Sequence, residues 1–88
     1  MTTELIKQAL NIAFQPTLLN IIDNSAAHAG HAGARQGGGH YQVTIVAQAF
    51  EGQSLVKRHQ LVYQALGDLM KQHIHALSIN ALSPFEHN

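Results

Sequence analysis

Sixteen consecutive residues of this 88-residue chain, SAAHAGHAGARQGGGH at positions 25–40, offer no side chain that could anchor a core. They hold five of the seven glycines and three of the seven histidines. A chain this small buries only about 60–65% of its unfolded surface, so whatever core exists must come from the segments on either side. A connection of this length without structure of its own is functional or disordered. Composition alone leaves both readings open for His28, His31 and His40.

The flanking segments have clear periods. TELIKQALNIAF places Leu5, Ile6, Ala9, Leu10 and Ala13 on one helical face. Thr2 or Thr3 can cap that helix, Glu4 lies in its first turn, and Pro16 ends it. TLLNIIDNS predicts a strand from Thr17 to about Asp23. After the loop, YQVTIVAQAF alternates strictly, with Tyr41, Val43, Ile45 and Ala47 on one face and Gln42, Thr44, Val46 and Gln48 on the other. EGQ turns the chain. SLVKRHQLVYQALGDLMKQ predicts the main helix, capped by Ser54, with Leu55, His59, Val62, Leu66 and Leu69 as its apolar stripe. Gly67 either costs that helix about 1 kcal/mol or marks an early end. IHALSINALS predicts a last strand with His75, Leu77, Ile79 and Ala81 on one face, stopped by Pro84.

The order α-β-β-α-β implies an α+β domain. The first two strands make an antiparallel hairpin, and the third lies parallel to a neighbour through a helical crossover. Helices on one face of a three-stranded mixed sheet complete the layer arrangement. The expectation is a single domain over 1–88, with a flexible loop at 24–40 and a tail at 85–88.

Composition removes several function classes. Five basic and five acidic residues cancel, and charged residues make up 11% against the usual ~25%. That balance argues against broad electrostatic binding of nucleic acid, which depends on Lys and Arg neutralising phosphates. No apolar stretch approaches the ~18 residues of a membrane helix, and the N-terminus lacks a signal peptide's apolar core. The expected compartment is the cytoplasm. With no cysteine, disulfides and thiolate chemistry are excluded, and sulfur ligands to any soft metal or cluster must come from elsewhere.

Enzyme chemistry is poorly supported, and no catalytic residue is assigned. Ser25, Ser54, Ser78 and Ser83 lack a nucleophile motif, and GGG is not followed by the Lys-Ser/Thr of a phosphate loop. Histidine is the outlier, and it is the commonest metal ligand. His28 and His31 are three apart, His73 and His75 alternate at the start of a strand, and His59 falls on the helix stripe. Each has a plain reading beside the ligand one: a solvated loop, an edge pair, a packed core histidine. His40 could bond the loop backbone, and His87 lies in the tail.

In order and spacing, the chain resembles the BolA family from about residue 4 to residue 84. The carrying pieces are DNS followed by HAGHAGARQGGGHY, then VTIVAQAFEGQSLVKRHQLVYQAL, then IHALSINALSP. The family's F-x-G and R-H positions are here Phe50, Gly52, Arg58 and His59, and its His-Ala-Leu is His75, Ala76 and Leu77. The chain departs from the pattern at Asn24, Tyr41 and Gln60, and its tail lacks a tryptophan.

The resemblance implies a fold similar to a type II KH domain. It also implies a non-enzymatic partner of a monothiol glutaredoxin, sharing a bridging [2Fe–2S] cluster whose thiolates come from the glutaredoxin and glutathione. Carried over, the strand ligand is His75 and the loop ligand His31, with His28 as a substitute. Arg58 and His59 are implied to be structural or interface residues. An imidazole must be neutral to bind, so ligation weakens at low pH. The alternative function is a DNA-binding transcriptional regulator of stress response and morphology, with Lys57, Arg58 and Lys71 as its cations and Arg35 in the loop. Alone, the chain is expected to be a monomer or a weak homodimer.

Overall fold

The computed structural model describes residues 2–24 and 39–87. The chain begins in helix α1, Thr2–Phe14, whose Ile6 and Leu10 are fully buried. The buried stripe is narrower than the periodicity predicted, because Leu5 and Ala13 reach solvent. Thr2 is already helical, so neither Thr2 nor Thr3 is the cap. Gln15 closes the helix in the left-handed region (φ 48°), its N–H donating to the Asn11 carbonyl at 3.0 Å, and Pro16 cannot continue it.

Strands β1 (Leu18–Asp23), β2 (Gly39–Val46) and β3 (Ile74–Leu82) form one sheet in the order β1-β2-β3. β1 runs antiparallel to β2 from Leu18↔Val46 to Asp23↔Tyr41. β3 runs parallel to β2 from His40↔Ala76 to Val46↔Leu82. The hairpin and the helical crossover expected from the sequence are both present. β2 is the central strand, and its alternation holds from Tyr41 to Ile45: Tyr41, Val43 and Ile45 are buried, Gln42 is exposed and Thr44 half-buried; Val46, expected on the outward face, is instead buried where the strand ends, and Ala47 beyond it is buried as well. Helix α2, Leu55–Leu66, adds Val62 and Leu66 to the core that these residues share with α1.

Two short features set how the helices meet the sheet. The 3₁₀ turn Gln48–Phe50 drops Phe50 into the core, fully buried, with its ring centroid 5.0 Å from that of Phe14. Gly52 follows at φ 76°, a conformation that a side chain resists, and turns the chain towards α2. Ser54 then caps α2, its Oγ accepting from the Lys57 N–H at 3.1 Å. The main helix does end early: Gly67 takes φ 53°, and a separate turn α3, Leu69–Gln72, precedes β3.

The stripe of α2 holds at Val62 and Leu66 but differs from the expectation in its first turns. Leu55 is 69% exposed and His59 is half-buried, whereas Arg58, Val62 and Leu66 are buried at i, i+4 and i+8. Periodicity left the arginine off the apolar stripe, but folding satisfies its guanidinium inside. At the C-terminal end, residues 84–87 form a one-turn helix α4, Pro84–His87. Phe50→Ala should remove both the core contact and the Phe14 pairing and cost about 3–5 kcal/mol; a urea titration should show the midpoint falling accordingly.

Candidate functional site

The β2–β3 ladder shifts register at its first step. Gly39 pairs with Ile74, but the next residue, His40, pairs with Ala76, which leaves His75 as the extra residue of a bulge. The extra residue breaks the alternation. Ile74 is buried and Leu77 is half-buried on the core side, while His75 and Ala76 are both exposed. His75 therefore does not continue the inward face of Leu77, Ile79 and Ala81, as alternation alone predicted. His73 is outside the strand altogether, as the residue closing α3, so His73 and His75 are not an alternating strand pair.

Lifted outward, His75 meets His40. Their ring centroids lie 5.1 Å apart with planes tilted by 49°. His40 is half-buried, and it lines a shallow hollow of about 300 Å³ with Asn24, Tyr41, Ala76, Leu77 and Ser78. Backbone hydrogen bonds hold this corner. The Asn24 N–H donates to the His40 carbonyl at 2.7 Å, and the Gly39 N–H donates to the His73 carbonyl at 3.0 Å. Asn24 and Gly39, the described residues on either side of positions 25–38, are thereby held at this corner. His28, His31 and Arg35 lie in that segment, outside the described residues. Among the described residues, no group of three or more His, Asp or Glu side chains could hold a metal ion.

A second cluster sits near the start of α2. The Arg58 side chain is 7% exposed and forms a bidentate pair with Glu86, Nη1 to Oε1 at 2.6 Å and Nη2 to Oε2 at 3.0 Å. Nη1 also donates to the Ala81 carbonyl at 3.0 Å and Nε to the Gln53 carbonyl at 2.8 Å. Arg58 thus ties α2, β3 and α4 together. Its guanidinium donors are engaged inside the protein, which leaves little of it to meet a phosphate. Glu86 is in turn held by a capping box: the Ser83 N–H donates to Oε1 at 2.8 Å, and the Glu86 N–H donates to Ser83 Oγ at 3.2 Å. Sequence reasoning missed this pair although the signal was present, because Ser-Pro-Phe-Glu has the S-x-x-E spacing with proline at the first helical position.

The remaining expected residues are spread out. Lys57 and Lys71 are exposed on α2 and α3, and His59 is half-buried beside Arg58. Among the described residues no helix is long and apolar enough to cross a membrane.

A three-stranded mixed sheet with helices packed on it and a histidine raised by a bulge at the start of β3 together define a class. The family described as BolA-like protein matches residues 10–86, and the chain belongs to it. The chain is 44% identical to the SufE-like protein 1, chloroplastic/mitochondrial, of Arabidopsis thaliana over 92% of its own length and 23% of that protein's. It is 42% identical to Protein BOLA1, chloroplastic, of the same plant, over 92% of its own length and 52% of the relative's. The chain therefore spans about half or less of these two relatives. It is also 32% identical to the DNA-binding transcriptional regulator BolA of Escherichia coli, over 91% of its own length and 73% of that protein's.

Among solved structures, BolA1 from Arabidopsis thaliana superposes with a TM-score of 0.83 at 36% identity, covering 98% of this chain and 95% of that one. The BolA domain of SufE1 from the same plant gives 0.80 at 43% identity, covering 92% and 90%. The α+β fold expected from the sequence is that of these structures.

The hydrogen bonds from Arg58, and then those from Ser83, lower the Glu86 carboxyl from its ordinary 4.5 to about 2. A carboxyl held lower when folded stabilises the fold above its unfolded value and loses that effect as pH falls through its folded value. Glu86→Gln should therefore lower Tm at neutral pH, and its deficit against the wild type should shrink as pH falls from 4.5 towards about 2. Thermal melts of both proteins across that range are the check.

Proposed function

We propose that this chain is a non-enzymatic partner of a monothiol glutaredoxin and shares a bridging [2Fe–2S] cluster with it. His75 is the strand ligand and His31 the loop ligand, with His28 as the substitute. The glutaredoxin cysteine and glutathione supply the thiolates that this cysteine-free chain lacks. The observation that carries this reading is the bulge at His75, which exposes one imidazole at the corner where segment 25–38 leaves and rejoins the sheet. The donor set fits such a cluster: imidazoles are competent iron ligands, and the described residues alone gather too few donors to complete a site. Bound in this way, a cluster with imidazole in place of thiolate on one iron supplies electron-transfer chemistry at a raised potential. The role would be iron–sulfur trafficking or iron and redox regulation. A partner that brings free thiols suits a reducing compartment such as the cytoplasm.

Anaerobic reconstitution with a monothiol glutaredoxin, glutathione, iron and sulfide is the test. The wild-type chain should convert the glutaredoxin's visible circular dichroism into a new heterodimer spectrum. His75→Ala should abolish that spectrum, and His31→Ala should weaken or shift it. A glutaredoxin spectrum unchanged by the wild-type chain would overturn the proposal.

The name of the Escherichia coli relative supports a second reading, DNA-binding transcriptional regulation. Only Lys57 and Lys71 of the three nominated cations are exposed for it, since Arg58 is buried in its pair with Glu86. Binding through these two should show a shallow salt dependence, with a slope of log K against log salt of about −2 or less in size. Fluorescence anisotropy of a labelled duplex across salt concentrations checks this, and no binding at low salt removes the reading.

A further inference from the structure

We propose that β1 is a dimerisation edge, pairing antiparallel with β1 of a second copy of this chain about a two-fold axis at Asn20, so that two three-stranded sheets join into one. The surface lies at the opposite edge of the sheet from the histidine corner, and it is independent of the cluster reading. Among the described residues, both outer strands have an unpaired side, but only β1 leaves it unguarded. β3 is interrupted near its start by the bulge at His75 and near its end by Arg58, whose Nη1 donates to the Ala81 carbonyl. Bulges, charges, prolines and coverings of this kind are how sheet edges avoid pairing with other chains. β1, with sequence LLNIID, pairs with β2 without a register break and carries no proline and no charge before Asp23. A flat, uncharged edge is a template for another strand.

The backbone fixes which groups face that edge. One step past the Asp23↔Tyr41 pair, the Asn24 N–H donates to the carbonyl of the residue opposite, His40. The even positions of β1 therefore bond β2, and the N–H and C=O groups of Leu19 and Ile21 point to the open side. An axis at Asn20 sets Leu19 opposite Ile21 of the second copy, and each such pair can exchange both hydrogen bonds. The same register sets Leu18 opposite Ile22 of the second copy on the uncovered face of the sheet. These two side chains are 37% and 44% exposed, and the pairing takes both out of water. The helix layer agrees. Residues 15–17 turn the chain back, so α1 runs counter to β1 beside it. Thr3, Glu4 and Lys7 of α1 form a groove of about 180 Å³ with Leu19, Asn20 and Ile21, centred on the axis. Its α1 wall carries an exposed acid and an exposed base one turn apart. A two-fold axis there brings Glu4 of each copy towards Lys7 of the other, so the surface is complementary to itself, as an isologous interface requires. That charge complementarity selects a second copy over an unrelated extended peptide.

Sedimentation velocity of the isolated full chain across concentration, with amide hydrogen exchange read by NMR, is the test. One short strand and one helix turn from each copy make an interface at the small end of the range, so the dimer should be weak, its fraction climbing between roughly 10 μM and 1 mM. The Leu19 and Ile21 amides should gain protection over that range, and Leu77 and Ile79 on the other edge should not. Asn20→Lys puts like charges opposite each other at the axis and should weaken dimerisation about fivefold or more; an unchanged circular dichroism spectrum and Tm would show that it folds. Leu18→Lys and Ile22→Glu should each weaken the dimer, and the two together in one chain should restore it, because this register sets position 18 opposite position 22. Glu4→Lys should weaken it too, and adding Lys7→Glu should recover the loss. His75→Ala and Ser78→Lys should leave it within about twofold of the wild type. A chain that stays monomeric to the top of that range overturns the proposal and leaves the edge to an extended segment of another protein. A dimer indifferent to a folded Asn20→Lys protein overturns it as well, as does protection gained at Leu77 and Ile79 in place of Leu19 and Ile21. Neither result bears on the glutaredoxin spectrum, so the two readings fail separately.

Discussion

β2 is hydrogen-bonded along both edges, antiparallel to β1 and parallel to β3, and the rest of the molecule is arranged around that double pairing. Its inward residues Tyr41, Val43, Ile45 and Ala47 meet both helices, so the core is centred on one strand. A parallel partner requires a crossover, and here α2 and α3 supply it between Phe50 and Ile74. Because the parallel strands start side by side, the first residues of β2 and the first residues of β3 are neighbours in space although more than thirty positions separate them in the chain. The histidine corner is a consequence of that topology. The one-residue mismatch at Gly39 and His40 then decides which way His75 points.

Arg58 is the second fixed point. A guanidinium is costly to bury unless its donors are satisfied, and here two carboxylate oxygens and two backbone carbonyls accept from it. The arrangement works only if α4 is folded, because Glu86 reaches the pair from a helix that Ser83 caps. The short C-terminal turn and the buried cation therefore form together, and α2 is locked to the end of β3 through them. This is also why Arg58 contributes nothing to a surface that would attract phosphates.

Much of the architecture was legible in local pattern. The alternation from Tyr41 to Ile45, the Ser54 cap, the break at Gly67 and the hairpin around segment 24–40 all have short-range causes: pleat, cap chemistry and glycine's tolerance of positive φ. Three features were not legible. The burial of Arg58 depends on a carboxylate 28 residues away. The helical turn at 84–87 was hidden because the S-x-x-E spacing was overlooked beside a proline that reads as a stop. The outward turn of His75 depends on how two distant strands fall into register, and alternation within one strand cannot report a bulge.

By itself, the sequence determined the element order, the inward face of the central strand, the absence of any thiol and the concentration of histidine near one loop. Those follow from residue type and from contacts a few positions apart. Only the tertiary structure decided that His40 and His75 are neighbours, that Arg58 belongs to the interior and that Glu86 completes it. Each of these is a meeting between residues far apart in the chain, and such meetings are set by strand pairing and packing, which no local period encodes.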